Sequence, residues 1–174
     1  MRERSKRWGN LLIAIIAVFL FFPIKADARS YIDNEIPIEI QIACNKYGEE
    51  YGICPELLES ICYQESRFDE SVIDITGSCY GLMQVQKVSH YERMKALNAD
   101  DLLDIDSNVH VATDYLSELF EQYEDVATVL MVYHGEKNAV RRSQQGIVSQ
   151  YAKEVLERSY ELEELHGKHD IKVR

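Results

Sequence analysis

Between Cys54 and Gln84 the chain reads as a helix with an acid on its apolar face, followed by a loop bracketed by glycines. Pro55 suits the first position of a helix, where its missing N–H costs nothing. No strong breaker follows before the loop. Leu58, Ile61 and Glu65 stand at i, i+3 and i+7 and share one face, and Leu57 pairs with Ile61 at i+4. That face is the one to bury, so Glu65 is expected in the last turn of a buried helix. Partial burial and the C-terminal end of the helix dipole both favour the protonated form of a carboxyl, the form a general acid needs. The plain alternative is a surface Glu paired with Arg67. The loop favours chemistry: Gly77 and Gly81 bracket it, and Leu82-Met83-Gln84 sets an amide side chain beside an apolar pair.

Residues 1–28 have the pattern of a secretory signal. Arg2, Arg4, Lys6 and Arg7 precede an apolar run from Leu11 to Phe22, and Ala26-Asp27-Ala28 is a small-x-small cleavage site. The run is short for a bilayer span, with an uncleaved anchor as the alternative. Either way residues 29–174 are expected outside the cytoplasmic membrane, as one domain with a core at about 36–158 and a charged C-terminal tail. The net charge is −11, and the leader holds five Lys/Arg against two Asp/Glu, so its removal leaves a more acidic chain. That excludes nucleic acid or anionic membrane as partners reached through charge.

Cys44, Cys54, Cys62 and Cys79 all follow the leader. An even number outside the cell points to disulfides, with three connectivities open. Cys44–Cys54 with Cys62–Cys79 is the expected pairing, and free buried thiols are the alternative. C-x-x-C spacing is absent, so a zinc site is not expected.

The remaining pattern is helical. A first helix is expected over Glu35–Tyr47. Residues 69–76 alternate and read as a short strand or hairpin arm, and Val85–Met94 as a short helix or turn. Asp106 or Ser107 can cap a helix with Val109, Ala112, Leu116, Leu119, Phe120 and Tyr123 on one face. Asp125 caps a run, Val126–Tyr133, that is apolar nearly all round and fits a central buried helix ending at His134-Gly135. A basic turn follows, then a last helix marked by Val148, Tyr151, Ala152, Val155, Leu156 and Ser159. From Glu161 onward the chain is charged and expected to fray.

Four stretches in this order carry a resemblance. They are Glu65-Ser66-Arg67-Phe68; Gly77-Ser78-Cys79-Tyr80-Gly81-Leu82-Met83-Gln84; Asp106-Ser107-Asn108-Val109 with Tyr115-Leu116; and Ala127 with Val132-Tyr133-His134-Gly135. Together they resemble the successive motifs of the soluble lytic transglycosylase family over most of residues 36–156. The resemblance implies a mainly α, lysozyme-like fold (α+β at most through a small β-hairpin) with a cleft. It implies cleavage of the β-1,4 bond between N-acetylmuramic acid and N-acetylglucosamine in peptidoglycan strands. It makes Glu65 the single catalytic acid/base, with Ser66 hydrogen-bonding near it and Met83 and Gln84 lining the sugar cleft. Tyr133 and Tyr151 would lie beside the acid; for Tyr151 a plain core role is the alternative. His134 stands where the family usually has Asn, so sugar contacts there depart from the pattern. No cofactor and no metal are implied.

One Glu without an obvious partner suits a reaction in which the muramic acid's own C6 hydroxyl closes on C1 to give a 1,6-anhydro ring. The rival is a goose-type muramidase that hydrolyses with water and needs a second carboxylate, for which Asp74 is the nearest candidate. A non-catalytic wall-binding scaffold is a third reading, and a cysteine peptidase built on Cys79 with His90, His110 or His134 a weaker one. The small size and the lack of wall-binding repeats suggest a monomer that opens the wall locally for conjugation, secretion or phage entry.

Overall fold

The computed structural model describes residues 35–168. The leader with its cleavage site after Ala28 and the chain beyond 168 lie outside the described residues. Among the described residues there are seven helices and one two-stranded antiparallel sheet. The fold is mainly α and lysozyme-like, as the resemblance implied.

Helix α1 is Ile38–Tyr51. It runs past the expected end at Tyr47 because Gly52, not Gly48, takes the left-handed closing conformation and donates back to Gly48. Gly48 stays helical and leaves room for the next helix: a Cβ there would sit 2.7 Å from the Ile53 carbonyl oxygen. Helix α2 is Pro55–Ser66, with proline in its first turn and Leu58 and Ile61 wholly buried. It ends abruptly, since Arg67 and Phe68 both have positive φ. The guanidinium groups of Arg67 and Arg158 lie 4.1 and 3.6 Å from the Tyr63 ring centroid and brace that exit.

Residues 69–76 do not form the expected strand. Asp69 accepts from the N–H and hydroxyl of Ser71 at 2.9 and 2.6 Å, and Asp74 accepts from the N–H groups of Ser78 and Cys79 at 2.6 and 2.7 Å. Such local bonds offer the backbone turns in place of a ladder, and only a single bridge joins Ile73 to Tyr80. Strands β1 (Cys79–Tyr80) and β2 (Val85–Gln86) pair across the loop that holds Gly81 to Gln84. Helix α3 (Tyr91–Ala96) follows.

Helix α4 is Ile105–Gln122, and its cap is Asp104, accepting from the Ser107 N–H, rather than Asp106 or Ser107. Asp106 instead takes Lys46 at 2.9 Å and the Tyr47 hydroxyl at 2.7 Å, tying α4 to α1. Helix α5 (Val126–Tyr133) is capped by Asp125 and buries Ala127 through Met131, the central helix its composition called for. The basic turn is a short helix, α6 (Ala139–Gln144). Helix α7 (Gln150–Leu165) does not fray at Glu161: Leu162 is wholly buried, and His166 and Lys168 reach the Glu56 carboxylate at 2.6 and 2.7 Å.

Helix α2 is packed between α1 and α7, while α5 touches α4, α6 and α7. No described helix is long and apolar enough to cross a membrane. The expected disulfides Cys44–Cys54 and Cys62–Cys79 are absent: all four cysteines are free. Cys44 faces Cys62 instead, both wholly buried, and that thiol–thiol contact together with burial pushes the Cys44 thiol well up. Cys54 donates to Glu56 at 2.9 Å.

Candidate active site

Glu65 ends α2 with its side chain 13 % exposed, at the wall of a cleft of about 730 Å³. The helix pattern places it there: Leu58 and Ile61 anchor the same face in the core, and the acid emerges one turn later where the packing opens. The Tyr151 hydroxyl donates to Glu65 Oε1 at 2.6 Å. Tyr151 lies in the first turn of α7, whose start is set by Ser149 accepting from the Ala152 N–H at 3.2 Å. His134, the last residue closing α5, places Nδ1 3.6 Å from the same oxygen. Its ring stacks on Tyr151 with centroids 3.9 Å apart and planes 12° apart. Both contacts converge on Oε1, so Oε2 is the oxygen left for a ligand.

Tyr133 lines the cleft but does not bond the acid. Its hydroxyl donates to the Met83 carbonyl at 2.7 Å, tying α5 to the glycine loop. Burial, then the nearby Glu65 charge, pushes both the Tyr133 and the Tyr151 phenol up, so both remain donors.

The loop is held by Asn108, a role that its place in the Asp106-Ser107-Asn108-Val109 stretch does not announce. Its Nδ2 donates to the carbonyls of Tyr80 and Leu102 at 2.8 and 2.7 Å, and its Oδ1 accepts from the Met83 N–H at 2.9 Å. Gly81 passes so close that a Cβ would lie 2.2 Å from the Leu102 carbonyl oxygen and 2.4 Å from Asn108 Nδ2, and its φ is +72°. Only glycine fits there. Gln84, also at positive φ, lines the cleft. Its Nε2 donates to the carbonyls of Gly81 and Val72 at 2.9 and 3.2 Å, which leaves the amide oxygen as the acceptor offered to a ligand.

Two implied site residues are placed elsewhere. Met83 does not line the cleft: its side chain is wholly buried, and only its backbone serves the site. Ser66 is buried, with its hydroxyl on the Cys62 carbonyl at 3.1 Å, one turn back along the same helix. In both cases the left-handed residue that follows turns the chain and leaves the preceding side chain inside.

Asp74 does line the cleft, yet its oxygens hold the loop. Bonds from the N–H groups of Cys79, Ser78 and Thr76 and from the Thr76 hydroxyl pull its pKa far down. It is a fixed carboxylate with its lone pairs taken. Cys79, on the same wall, has its thiol pushed up by burial and by Asp74, the opposite of an activated nucleophile. A row of rings leads away from Glu65: Tyr133 to Tyr115 at 5.8 Å, and Tyr115 to His90 at 4.5 Å. Beyond it Arg93 meets Asp114 at 2.5 Å, His90 Nδ1 at 2.7 Å, and Glu118. No spacing rule announced this group. Among the described residues, no set of three or more His, Cys, Asp or Glu could hold a metal ion.

Residues 42–155, more than half of the chain, match the family model of the transglycosylase SLT domain. The chain belongs to that family. As an SLT-domain protein it has peptidoglycan as its substrate and lytic transglycosylase chemistry as its general activity. The matched span includes every residue of the Glu65 cluster and of the SLT loop from Gly77 to Gln84.

Proposed function

We propose that this SLT domain cleaves the β-1,4 bond between N-acetylmuramic acid and N-acetylglucosamine with Glu65 as its single acid/base, releasing 1,6-anhydro-muramic ends. The observation that carries the reading is the convergence of Tyr151 and His134 on one oxygen of Glu65, in a cleft whose other described carboxylates, Asp74 and Glu118, are engaged by the loop N–H groups and by Arg93. Glu65 gives its proton to the glycosidic oxygen as the bond from C1 breaks. The resulting carboxylate takes the C6 hydroxyl proton as that oxygen bonds to C1, so the acid is restored. The nucleophile belongs to the substrate, and closeness replaces an activated water. Hydrolysis would need a base for water, and Asp74 is engaged by its own loop.

The basic and apolar pattern of residues 1–28 and the acidic remainder support action outside the cytoplasmic membrane, by a monomer that opens the wall locally. A conjugation, secretion or phage assembly is the kind of machine this would serve. Mass spectrometry of the fragments released from purified peptidoglycan tests the reaction. Anhydro ends, lighter by one water than reducing ends, are expected; reducing ends would assign a muramidase instead. Release by a folded Glu65→Gln variant at the wild-type rate would remove Glu65 from the mechanism.

A further inference from the structure

The imidazole that closes α5 reaches the carboxyl at the end of α2, and the geometry shows what it touches. His134 Nδ1 is 3.6 Å from Glu65 Oε1, beyond a good hydrogen bond but within ion-pair range. Its ring is held flat against Tyr151, which occupies the same oxygen. His134 is 43 % exposed and lines the cleft, so it meets both the acid and the solvent. We propose that His134 is a positioning residue and charge partner of Glu65, productive when neutral and inhibitory as the imidazolium. This deepens the reading of Glu65 as the general acid and rests on it.

The physical argument has two parts. A positive charge on His134, 3.6 Å from Glu65 Oε1, opposes the proton that the acid must deliver in the first step. It also lies beside a sugar that develops positive charge as the bond to C1 breaks. Neutral His134 does neither, and the stack on Tyr151 keeps the Oε1 side of the acid occupied. The groups facing His134 are Glu65 from α2, Tyr151 from α7 and Glu136 just beyond α5. Glu136 is itself paired to Arg142 of α6 at 2.6 Å. Asp74 and Cys79 line the same cleft. The contact with Glu65 raises the His134 pKa above its ordinary value, against the effect of burial, and Glu136 adds to the rise. The imidazolium therefore persists to a higher pH than that of a free histidine, ~6.5.

The consequence is a difference in pH dependence. General-acid catalysis gains from a falling pH in wild type and in His134→Asn alike. In wild type that gain is cancelled once His134 charges, so kcat/KM levels off. In His134→Asn nothing cancels it, and kcat/KM keeps rising. The ratio of variant to wild type is expected to grow by up to about tenfold per pH unit below the His134 midpoint. Release of soluble muropeptides, followed from pH ~5 to ~9, reads this. NMR titration of the His134 ring in wild type and in the near-isosteric Glu65→Gln reads the pairing without any turnover, and the midpoint is expected to move down in the variant. Superimposable pH profiles, or a midpoint unmoved by Glu65→Gln, would overturn the proposal. An active Glu65→Gln would instead strike the catalytic reading, while the NMR result still reports on the pair.

Discussion

The two ends of α2 carry one acid each, and α7 reaches both. At the C-terminal end, Glu65 has one short hydrogen bond, from Tyr151, and one oxygen left for a ligand. At the N-terminal end, Glu56 is 1 % exposed and holds the Cys54 thiol, His166 and Lys168 on its two oxygens. Burial pushes the Glu56 pKa up, but these donors outweigh it and hold the carboxyl at about 2. The same residue type on the same pair of helices is thus put to opposite uses. A buried carboxylate with all its lone pairs engaged is a clasp, because removing any partner strands a charge. One with a lone pair held back, at the edge of a cleft, can exchange a proton with a ligand.

The sharpest way to break this contrast is to remove each acid in turn. Glu65→Gln is expected to lower turnover by about 10²–10⁴-fold, with the melting temperature little changed; fragment release and thermal melting read the two halves. Glu56→Ala is expected to do the reverse. It should cost about 3–5 kcal/mol of stability, the scale for breaking a buried ion pair, while activity per folded molecule stays near wild type. Urea unfolding measures that cost.

Acid titration sharpens the difference further. Glu56 has a depressed pKa in the folded state, about 2 against an ordinary 4.5. Its contribution is therefore fully present above pH 4.5 and is lost as the pH falls towards 2. Wild type should lose on the order of 3 kcal/mol across that window, at 1.36 kcal/mol per pH unit, and Glu56→Gln should lose less. Unfolding curves at several acid pH values decide it. The smallest effect is expected from Tyr151→Phe. Loss of one hydrogen bond to Oε1 should reduce turnover by roughly tenfold at about 1.5 kcal/mol, with stability nearly unchanged. A Tyr151→Phe variant as inactive as Glu65→Gln would mean that the phenol carries the proton itself.

Much of the Glu65 end was legible in the chain. Pro55 announced the start of α2, the Leu58–Ile61–Glu65 spacing put the acid on the packed face, and Gly81 marked a place where only glycine fits. The Glu56 end was not legible at all. Its partners lie in a stretch whose charge reads as a fraying tail, and nothing local to Glu56 says that Lys168 will arrive. The cap of α4 lies two or three residues before the expected one because Asp104, Asp106 and Ser107 are all good caps, and Lys46 and Tyr47 draw Asp106 away. The cysteine pairing failed for a similar reason. A Cys44–Cys54 bond would tie α1 to the start of α2, whereas the crossing of the two helices sets Cys44 against Cys62.

Local sequence was enough for the helices α2, α4, α5 and α7, the acid at the end of α2 and the glycine loop beside it, but not for the buried face of α1, where Ile38 and Ile42 are exposed. What it settled follows from periodicity, caps and allowed backbone angles, which act over a few residues. Packing settled which oxygen of Glu65 is occupied, that His134 stacks on Tyr151 to reach it, that Asn108 holds the glycine loop while the Met83 side chain is buried, and that Glu56 is clasped. Each of those is a contact between residues far apart in the chain. Its geometry depends on how whole helices cross, and that is settled by packing the entire core at once.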